Sequence, residues 1–191
     1  MKTTLLALLY AVAFIFPVST HATVIPLQAT LTGAQEVPAT GSPGTGTGIF
    51  TLDDVTNVLT WNVSFSGVTS GVTAAHFHGP AFPSVASCVG VICPVLVFPP
   101  TVPLGSAAGQ TSGLIIGSVD LDTVAGVSGN IAFHESNLLN GLWYFNIHTT
   151  QFPGGEIRGQ VLRIAQVPEP GSLALLGLGL VGLALARQRL K

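Results

Sequence analysis

Hydrophobic and polar residues alternate along several short segments of the chain. The alternation is clearest at 59–66, where Leu, Trp, Val and Phe are separated by Thr, Asn and Ser, and it recurs at 143–148 and 156–161. A period of two predicts β-strands with one face packed in a core and the other facing water. Six further segments have the composition of short strands: 26–32, 47–52, 72–78, 93–98, 112–120 and 127–133.

Turn-forming residues separate these segments, and the chain contains 23 Gly and 13 Pro. About nine short strands with Gly-rich turns predict an all-β sandwich. One helical turn is expected at 136–140. The segment 79–111 is expected to be a long connection, called here the excursion, that contains one short strand.

Three pairs of similar segments are separated by nearly the same number of residues, 68 to 70: 48–53 and 117–122, 62–65 and 130–133, and 71–78 and 141–148. An old duplication would explain these pairs and would give the sandwich a pseudo-two-fold arrangement. The alternative is that strands beginning with Gly resemble one another in any β-protein.

The N-terminus has the composition of a secretory signal. A Lys at position 2 precedes an apolar run at 5–18, and Ala22 offers a small residue for cleavage. The alternative is a membrane anchor, but the run has 14 residues, whereas about 20 are needed to span a bilayer. We therefore expect a signal peptide over 1–22 and an exported chain.

The C-terminus carries a three-part pattern of Pro168-Glu169-Pro170, an apolar segment at 173–186 and a basic end. One interpretation is a membrane anchor, a short transmembrane helix whose basic tail stays in the cytoplasm. The order of the parts, over 167–191, resembles the PEP-CTERM sorting signal of Gram-negative bacteria. This resemblance implies processing by an exosortase-type enzyme, transient membrane association through 173–186, and delivery to the cell envelope or the extracellular matrix.

Charged residues make up only 7% of the chain, which argues against nucleic-acid binding because a basic patch is lacking. The high apolar content of 48% argues against disorder. Residues 23–166, which remain between the two end signals, contain seven acidic and two basic residues. The domain is therefore mildly acidic, which favours solubility and disfavours polyanionic partners.

The two cysteines, Cys88 and Cys93, lie in the 79–111 excursion. Because an exported chain enters an oxidising compartment, a disulfide between them is the favoured interpretation. Two cysteines are too few for a structural zinc site, and their spacing differs from the Cys-x-x-Cys redox motif.

The histidines suggest a metal site. His76 and His78 lie on one face of a predicted strand, about 7 Å apart along it, while Phe77 points toward the core. His148 is expected on the accessible face of another strand and could provide a third imidazole. Imidazole suits both copper and zinc. The alternative is that all three are polar-face residues that bond to their neighbours.

A polar ladder is predicted between 144–148 and 156–160, which flank a turn centred on Phe152. This register pairs three sets of residues across the hairpin: His148 with Glu156, Asn146 with Arg158, and Tyr144 with Gln160. Such cross-strand pairs stabilise a sheet by about 0.2–1 kcal/mol each. An alternative role for Glu156 is to orient His148 beside a bound metal.

The remaining candidates give little support for catalysis. His134 and Glu135 are expected at the entry of the 136–140 turn, with Ser136 or Asn137 as its cap. The sequence has no Gly-rich phosphate loop, no Gly-x-Ser-x-Gly elbow and no evident pair of catalytic carboxylates. An enzymatic activity is therefore not expected.

Four motifs together resemble the CHRD domain, a module named for its repeats in chordin: Leu-Thr-Gly-Ala-Gln-Glu-Val-Pro at 31–38, Ala-His-Phe-His-Gly-Pro at 75–80, Tyr-Phe-Asn-Ile-His-Thr at 144–149 and Pro-Gly-Gly-Glu-Ile-Arg-Gly-Gln at 153–160. The resemblance runs from about 26 to 164 and departs from the family at the cysteine loop. It implies an immunoglobulin-like or related β-sandwich. It implies no established activity and no catalytic residues.

The His-x-His strand and the later histidine are also similar to copper-zinc superoxide dismutases, which are β-sandwiches. This similarity implies His76, His78 and His148 as copper ligands, with His134 as a possible fourth. The His-rich zinc loop of the dismutases has no counterpart here, which argues against dismutase activity.

Two functions follow from these observations. The first is an exported, non-enzymatic binding or matrix module, with extracellular polysaccharide or envelope proteins as partners. The second is a copper- or zinc-binding β-sandwich that uses His76, His78 and His148.

Overall fold

The computed structural model of the chain describes residues 24–82, 103–124, 127, 129–165, 176–180 and 187–188. These residues contain eight strands: β1 (Val24–Thr32), β2 (Thr45–Asp53), β3 (Val58–Ser66), β4 (Val72–His78), β5 (Gly113–Asp120), β6 (Tyr144–Thr149), β7 (Ile157–Gln160) and β8 (Leu162–Arg163). One α-helix, α1 (Ile131–Leu139), and three single-turn 3₁₀ helices, Gly33–Gln35, Gly105–Ala107 and Leu121–Thr123, accompany them.

The strands form one antiparallel sheet in the order β4-β6-β7-β1-β2-β3-β5, with β8 beside β1. The sheet is curled, because the ring of Phe77 in β4 lies 5.6 Å from both Phe50 in β2 and Trp61 in β3. These strands are far apart in the strand order and meet only if the two halves of the sheet face each other. The all-β prediction is confirmed, and the two layers of the sandwich are halves of one sheet.

The alternation in the sequence places the core between the two layers. In β3, Leu59, Trp61, Val63 and Phe65 are all buried, and the residues between them are exposed or half-buried. β1 follows the same pattern, since Ile25, Leu27, Ala29 and Leu31 are buried. A strand exposes side chains alternately to its two faces, so every second residue enters the core.

The predicted strand at 127–133 is wrong, because this region begins α1. Its buried residues are His134 and Leu138, which are four positions apart and lie on one face of a helix, whereas Phe133 is 57% exposed. The expected capping by Ser136 or Asn137 is also wrong, since both residues lie inside the helix. The N-cap is Asn130, whose side chain makes no capping hydrogen bond.

The three pairs of similar sequence segments do not all have matching secondary structure. The segments 71–78 and 141–148 include β4 and β6, which pair with each other, while 48–53 and 117–122 both contain strand residues. The segments 62–65 and 130–133 lie in a strand and at the start of a helix, respectively. This third pair gives no structural support to a duplication.

Several predicted features lie outside the described residues: the signal peptide, the strand at 93–98, Cys88 and Cys93, and the Pro-Glu-Pro motif. Of the C-terminal apolar segment, the structure describes only 176–180, which are helical. Within the described residues, no helix is long and apolar enough to cross a membrane. Most of the segment for which a transmembrane helix was expected, 173–186, lies outside the described residues.

Candidate metal centre

The three candidate histidines project from the outer face of β4 and β6. These neighbouring strands pair His76 with Asn146, His78 with Tyr144, and Ala74 with His148. The intervening Phe77 points to the opposite face and is fully buried in the core. The core contact of Phe77 therefore fixes which way both histidines of the His-x-His motif point.

The histidine side chains converge on a small volume. One ring nitrogen from each of His76, His78 and His148 lies within 4.8 Å of the other two, and within the described residues these three form the group able to hold a metal ion. His76 Nδ1 lies 2.9 Å from His148 Nε2. The structure thus brings together the three residues that the sequence nominated.

A backbone carbonyl orients the ring of His148. Its Nδ1 lies 2.8 Å from the carbonyl oxygen of Pro153, which can only accept a hydrogen bond. Nδ1 therefore carries the proton, and Nε2 presents a lone pair toward His76. Burial lowers the pKa of His148, although the Pro153 carbonyl acts in the opposite direction. The neutral ring is the form that binds metals.

The prediction that His148 is accessible is wrong. Only 8% of His148 and 6% of His78 are exposed, while His76 is half-buried. The turn after β6 folds back over His148, as the contact with Pro153 shows. Of the three rings, His76 is therefore the most open to solvent.

Aromatic and cationic groups pack beside the cluster. The ring of His78 stacks on Tyr144 with 5.0 Å between centroids and 7° between planes. The Arg158 guanidinium carbon lies 4.5 Å from the centroid of the same Tyr144 ring. Arg158 Nε donates to the carbonyl oxygen of Gln35 at 2.5 Å. These contacts hold the His78 ring in one orientation.

The predicted register of β6 and β7 agrees with the structure, which pairs Tyr144 with Gln160 and Asn146 with Arg158. The expectation that this ladder faces water is wrong, because β6 and β7 are buried on both faces. Backbone segments cover the polar face and accept its hydrogen bonds. Gln160 Nε2, for example, donates to the carbonyl oxygens of Ala81 and Gly141 at 2.6 and 2.7 Å.

The Glu156 side chain has a different role from either one predicted. Its carboxylate accepts hydrogen bonds from Ser42 Oγ and the Thr69 amide, both at 2.6 Å, and from Thr149 Oγ1 at 2.5 Å. Burial disfavours the ionised form, but these hydrogen bonds outweigh it and lower the pKa of Glu156. Glu156 therefore ties two loops to β6, and Pro153 rather than Glu156 orients His148.

His134 lies apart from the cluster. Helix α1 turns its ring toward the core, where it lies 6.1 Å from the ring of Trp143. The cluster of described residues contains His76, His78 and His148 without it. The structure therefore gives no support to His134 as a fourth ligand.

Sequence reasoning missed Glu36 and Pro153 as residues of this region. Glu36 is only 8% exposed, and burial raises its pKa to about 7 despite the opposing charge of Arg158. Both residues stand inside motifs that carry the family resemblance, at 31–38 and 153–160. Their position there was the one available signal, since their contacts depend on loops distant in the chain.

The fold and the histidine cluster define an all-β protein with a candidate metal centre on one face of a curled sheet. The model of the CHRD domain family matches residues 27–161, more than half of the chain, and the chain belongs to this family. The PEP-CTERM protein-sorting motif matches residues 166–189 and marks an exported protein that an exosortase-type system processes. No curated protein and no solved structure matches the chain.

Proposed function

We propose that this exported protein binds one transition-metal ion, copper or zinc, through His76, His78 and His148. The observation that carries the proposal is the convergence of three ring nitrogens within 4.8 Å of one another on a largely buried polar face. Imidazole nitrogen is a good ligand for both metals. The carbonyl of Pro153 supports the proposal because it selects the tautomer in which Nε2 of His148 can bind a cation.

The spacing of the nitrogens suits such an ion after small shifts. With metal–nitrogen bonds of about 2.0–2.1 Å, a tetrahedral site places its ligand nitrogens about 3.3 Å apart. The closest pair, His76 Nδ1 and His148 Nε2, is at 2.9 Å. Asn146 Oδ1 also lies 3.0 Å from His148 Nε2. A cation bound to both ring nitrogens would replace their direct contact.

The three histidines that the described residues bring together favour an open site rather than a purely structural one. Structural zinc sites have four protein ligands, whereas sites with three leave a position for water or another small ligand. His76 is the half-buried member of the cluster, so this position would face the solvent side. The alternative is that the 2.9 Å contact is a hydrogen bond between two neutral histidines, which would need no metal.

A metal titration distinguishes a metal site from a metal-free hydrogen bond between His76 and His148. Copper(II) and zinc would be titrated by calorimetry into the exported protein, purified as the cell processes it, and into variants His78→Ala and His148→Ala. We expect one ion per chain, and a loss of affinity of at least tenfold in each variant. His134→Gln is the matched control, because this buried histidine lies outside the cluster. No binding, or binding that both cluster variants retain, would contradict the proposal while their circular dichroism spectra stay native.

The second candidate is a non-enzymatic matrix or envelope module whose partners are extracellular polysaccharides or envelope proteins. Export through the sorting motif supports it. The two functions are compatible, because a bound ion can serve a module that catalyses nothing. A turnover activity that a single substitution in the histidine cluster abolishes would contradict the non-enzymatic role.

The proposed processing divides the chain into a signal peptide at 1–22, the CHRD domain at 23–166 and the sorting signal at 167–191. The apolar segment 173–186 associates with the membrane until the exosortase-type enzyme acts. A disulfide between Cys88 and Cys93 forms after export, since the compartment is oxidising.

A further inference from the structure

A fourth polar side chain, that of Asn146, reaches the candidate metal centre. Asn146 pairs with His76 of the neighbouring strand β4, and it lies two residues before His148 on the same face of β6. The residue is only 3% exposed. Its amide oxygen, Oδ1, lies 3.0 Å from Nε2 of His148. Asn146 therefore offers an oxygen to the small volume on which the three histidine rings converge.

The contact between Asn146 and His148 joins two hydrogen-bond acceptors. The carbonyl of Pro153 keeps the proton of the neutral His148 ring on Nδ1, so Nε2 has none to donate, and an amide oxygen only accepts. The amide nitrogen of Asn146 lies on the side of Gly155, where an added Cβ atom would be 2.8 Å from Nδ2 and 2.7 Å from Glu36 Oε1. A metal ion bound to both acceptors would give this contact a role.

The distances around His148 Nε2 fit ligands that lie at right angles. His76 Nδ1 is 2.9 Å from this atom, and Asn146 Oδ1 is 3.0 Å from it. With metal–ligand bonds of about 2.0–2.1 Å, adjacent donors of a square plane are about 2.8–3.0 Å apart, whereas the donors of a tetrahedron are about 3.3–3.4 Å apart. Both contacts therefore match the square plane, and both are too short for a tetrahedron.

The widest spacing in the cluster agrees with the same arrangement. Opposite donors of such a square are about 4.0–4.2 Å apart, whereas all donors of a tetrahedron are equally spaced. The three ring nitrogens lie within 4.8 Å of one another, and one pair of them is at 2.9 Å. Square-planar or tetragonal sites built from nitrogen and oxygen are typical of copper(II), whereas zinc is almost always tetrahedral in structural sites.

We infer that Asn146 Oδ1 is a fourth metal ligand, which completes a tetragonal copper(II) site with the three histidines. The position above the plane, on the side of the half-buried His76, stays open to a small ligand. Asn146 is thus the residue that determines the preference of the site for copper(II) over zinc. This inference rests on the proposed metal site and adds to it a ligand and a choice of metal.

Separate titrations of copper(II) and zinc into the exported protein, purified as the cell processes it, test the role of Asn146. Asn146→Leu should cost about tenfold or more in copper(II) affinity, at the lower end of what loss of a supporting group costs at a metal site. Its zinc affinity should stay close to that of the wild type, because a tetrahedral ion does not need the amide. Asn146→Asp keeps an oxygen in place and should retain copper(II) binding. Asn62→Leu is the matched control, the same substitution at an exposed position of β3.

Electron paramagnetic resonance of the copper(II)-loaded wild type gives a readout that needs no substitution. We expect the axial spectrum of a tetragonal site, with splitting from three imidazole nitrogens. The spectrum of Asn146→Leu should differ from it while the circular dichroism spectrum of this variant stays native, because the amide oxygen is lost from the copper plane.

Three results would overturn the inference while the wild type still binds an ion at the histidines. The first is wild-type copper(II) affinity in Asn146→Leu, as expected if the amide is turned over and donates from Nδ2 to His148. The second is an equal loss of affinity for both metals, which indicates a structural role alone. The third is the rhombic spectrum of a nearly tetrahedral copper site in the wild type. A wild type that binds neither metal would instead contradict the metal proposal, and this inference with it.

Discussion

At the scale of single residues, Glu36 has a buried carboxyl group, and burial disfavours the charged form of this group. The residue is 8% exposed, and burial raises its pKa from an ordinary value of 4.5 to about 7. Its folded pKa therefore exceeds its unfolded pKa, and the folded protein holds the proton more tightly between these two pH values. Linkage then requires the free energy of unfolding to fall as the pH rises from about 4.5 to about 7.

Replacing Glu36 by Gln should remove this pH-dependent loss. We expect Glu36→Gln to match the wild type near pH 4 and to be more stable at pH 8, by up to about 3 kcal/mol. Urea unfolding at pH 4, 6 and 8 measures the difference. Glu135→Gln is the control for the same chemical change at a half-buried position in α1. Parallel pH profiles for Glu36→Gln and the wild type would show that the carboxyl group is not destabilised in the folded state.

At the scale of the elements, the junction of β1 and β7 depends on a close approach of two backbones. A Cβ atom at Gly159 would meet the Thr30 carbonyl oxygen and would lie 2.7 Å from the Thr30 carbonyl carbon. Backbone atoms in paired strands cannot move aside without breaking the ladder. The glycine at position 159 is thus explained by close packing of the two strands rather than by a chemical role.

Gly159→Ala should therefore separate the strands. We expect a loss of about 2–3 kcal/mol or more in the free energy of unfolding, because the added methyl group overpacks the junction. Gly154→Ala is the matched control, since a Cβ there would meet nothing within 4 Å. Thermal and denaturant unfolding of the two variants measure the difference, and equal stabilities would refute the close approach.

The polar ladder shows what an element's sequence can predict. The register of β6 and β7 follows from their alternation, because a slip of one residue would place Glu156 and Arg158 in the core. Burial of the ladder on its outer face could not be predicted, since the covering backbone comes from Gly141 and Ala81. The helical turn expected at 136–140 overlaps the C-terminal part of α1, which spans Ile131–Leu139. The beginning of α1 was predicted as a strand because 127–133 is short and apolar, and its helical face is defined only by contact with the core.

At the scale of the whole molecule, an aromatic cluster joins the two layers of the curled sheet. The Phe77 ring lies at its centre, 4.9 Å from Phe145, 5.6 Å from both Phe50 and Trp61, and 6.2 Å from Trp143. Because Phe77 separates His76 from His78 in the chain, the packing between the layers also positions the metal centre.

Phe77→Ala should weaken both the fold and the site. We expect a loss of about 3–5 kcal/mol in the free energy of unfolding, the usual effect of truncating a buried Phe. Phe82→Ala should change stability little, because that side chain is 65% exposed. Denaturant unfolding of the pair measures the difference. A loss below about 1 kcal/mol at Phe77 would mean that the layers do not pack as described.

The sequence predicted much of the candidate site and little of its surroundings. The His-x-His motif and the alternation at 143–148 were enough to nominate His76, His78 and His148, because strand geometry fixes the face of each side chain. The cleft between the loops 36–40 and 151–155 was not predictable, since these segments lie more than a hundred residues apart in the chain. Neither loop has a pattern that specifies its conformation.

The central claim is that three histidines hold one metal ion, and anomalous diffraction from zinc-loaded crystals of the exported protein tests it most directly. At the zinc edge, we predict one strong peak at bonding distance, about 2.0–2.1 Å, from a ring nitrogen of each of His76, His78 and His148. A peak bound to other residues would contradict the account. So would the absence of a peak with His76 Nδ1 and His148 Nε2 still at the 2.9 Å of a hydrogen bond.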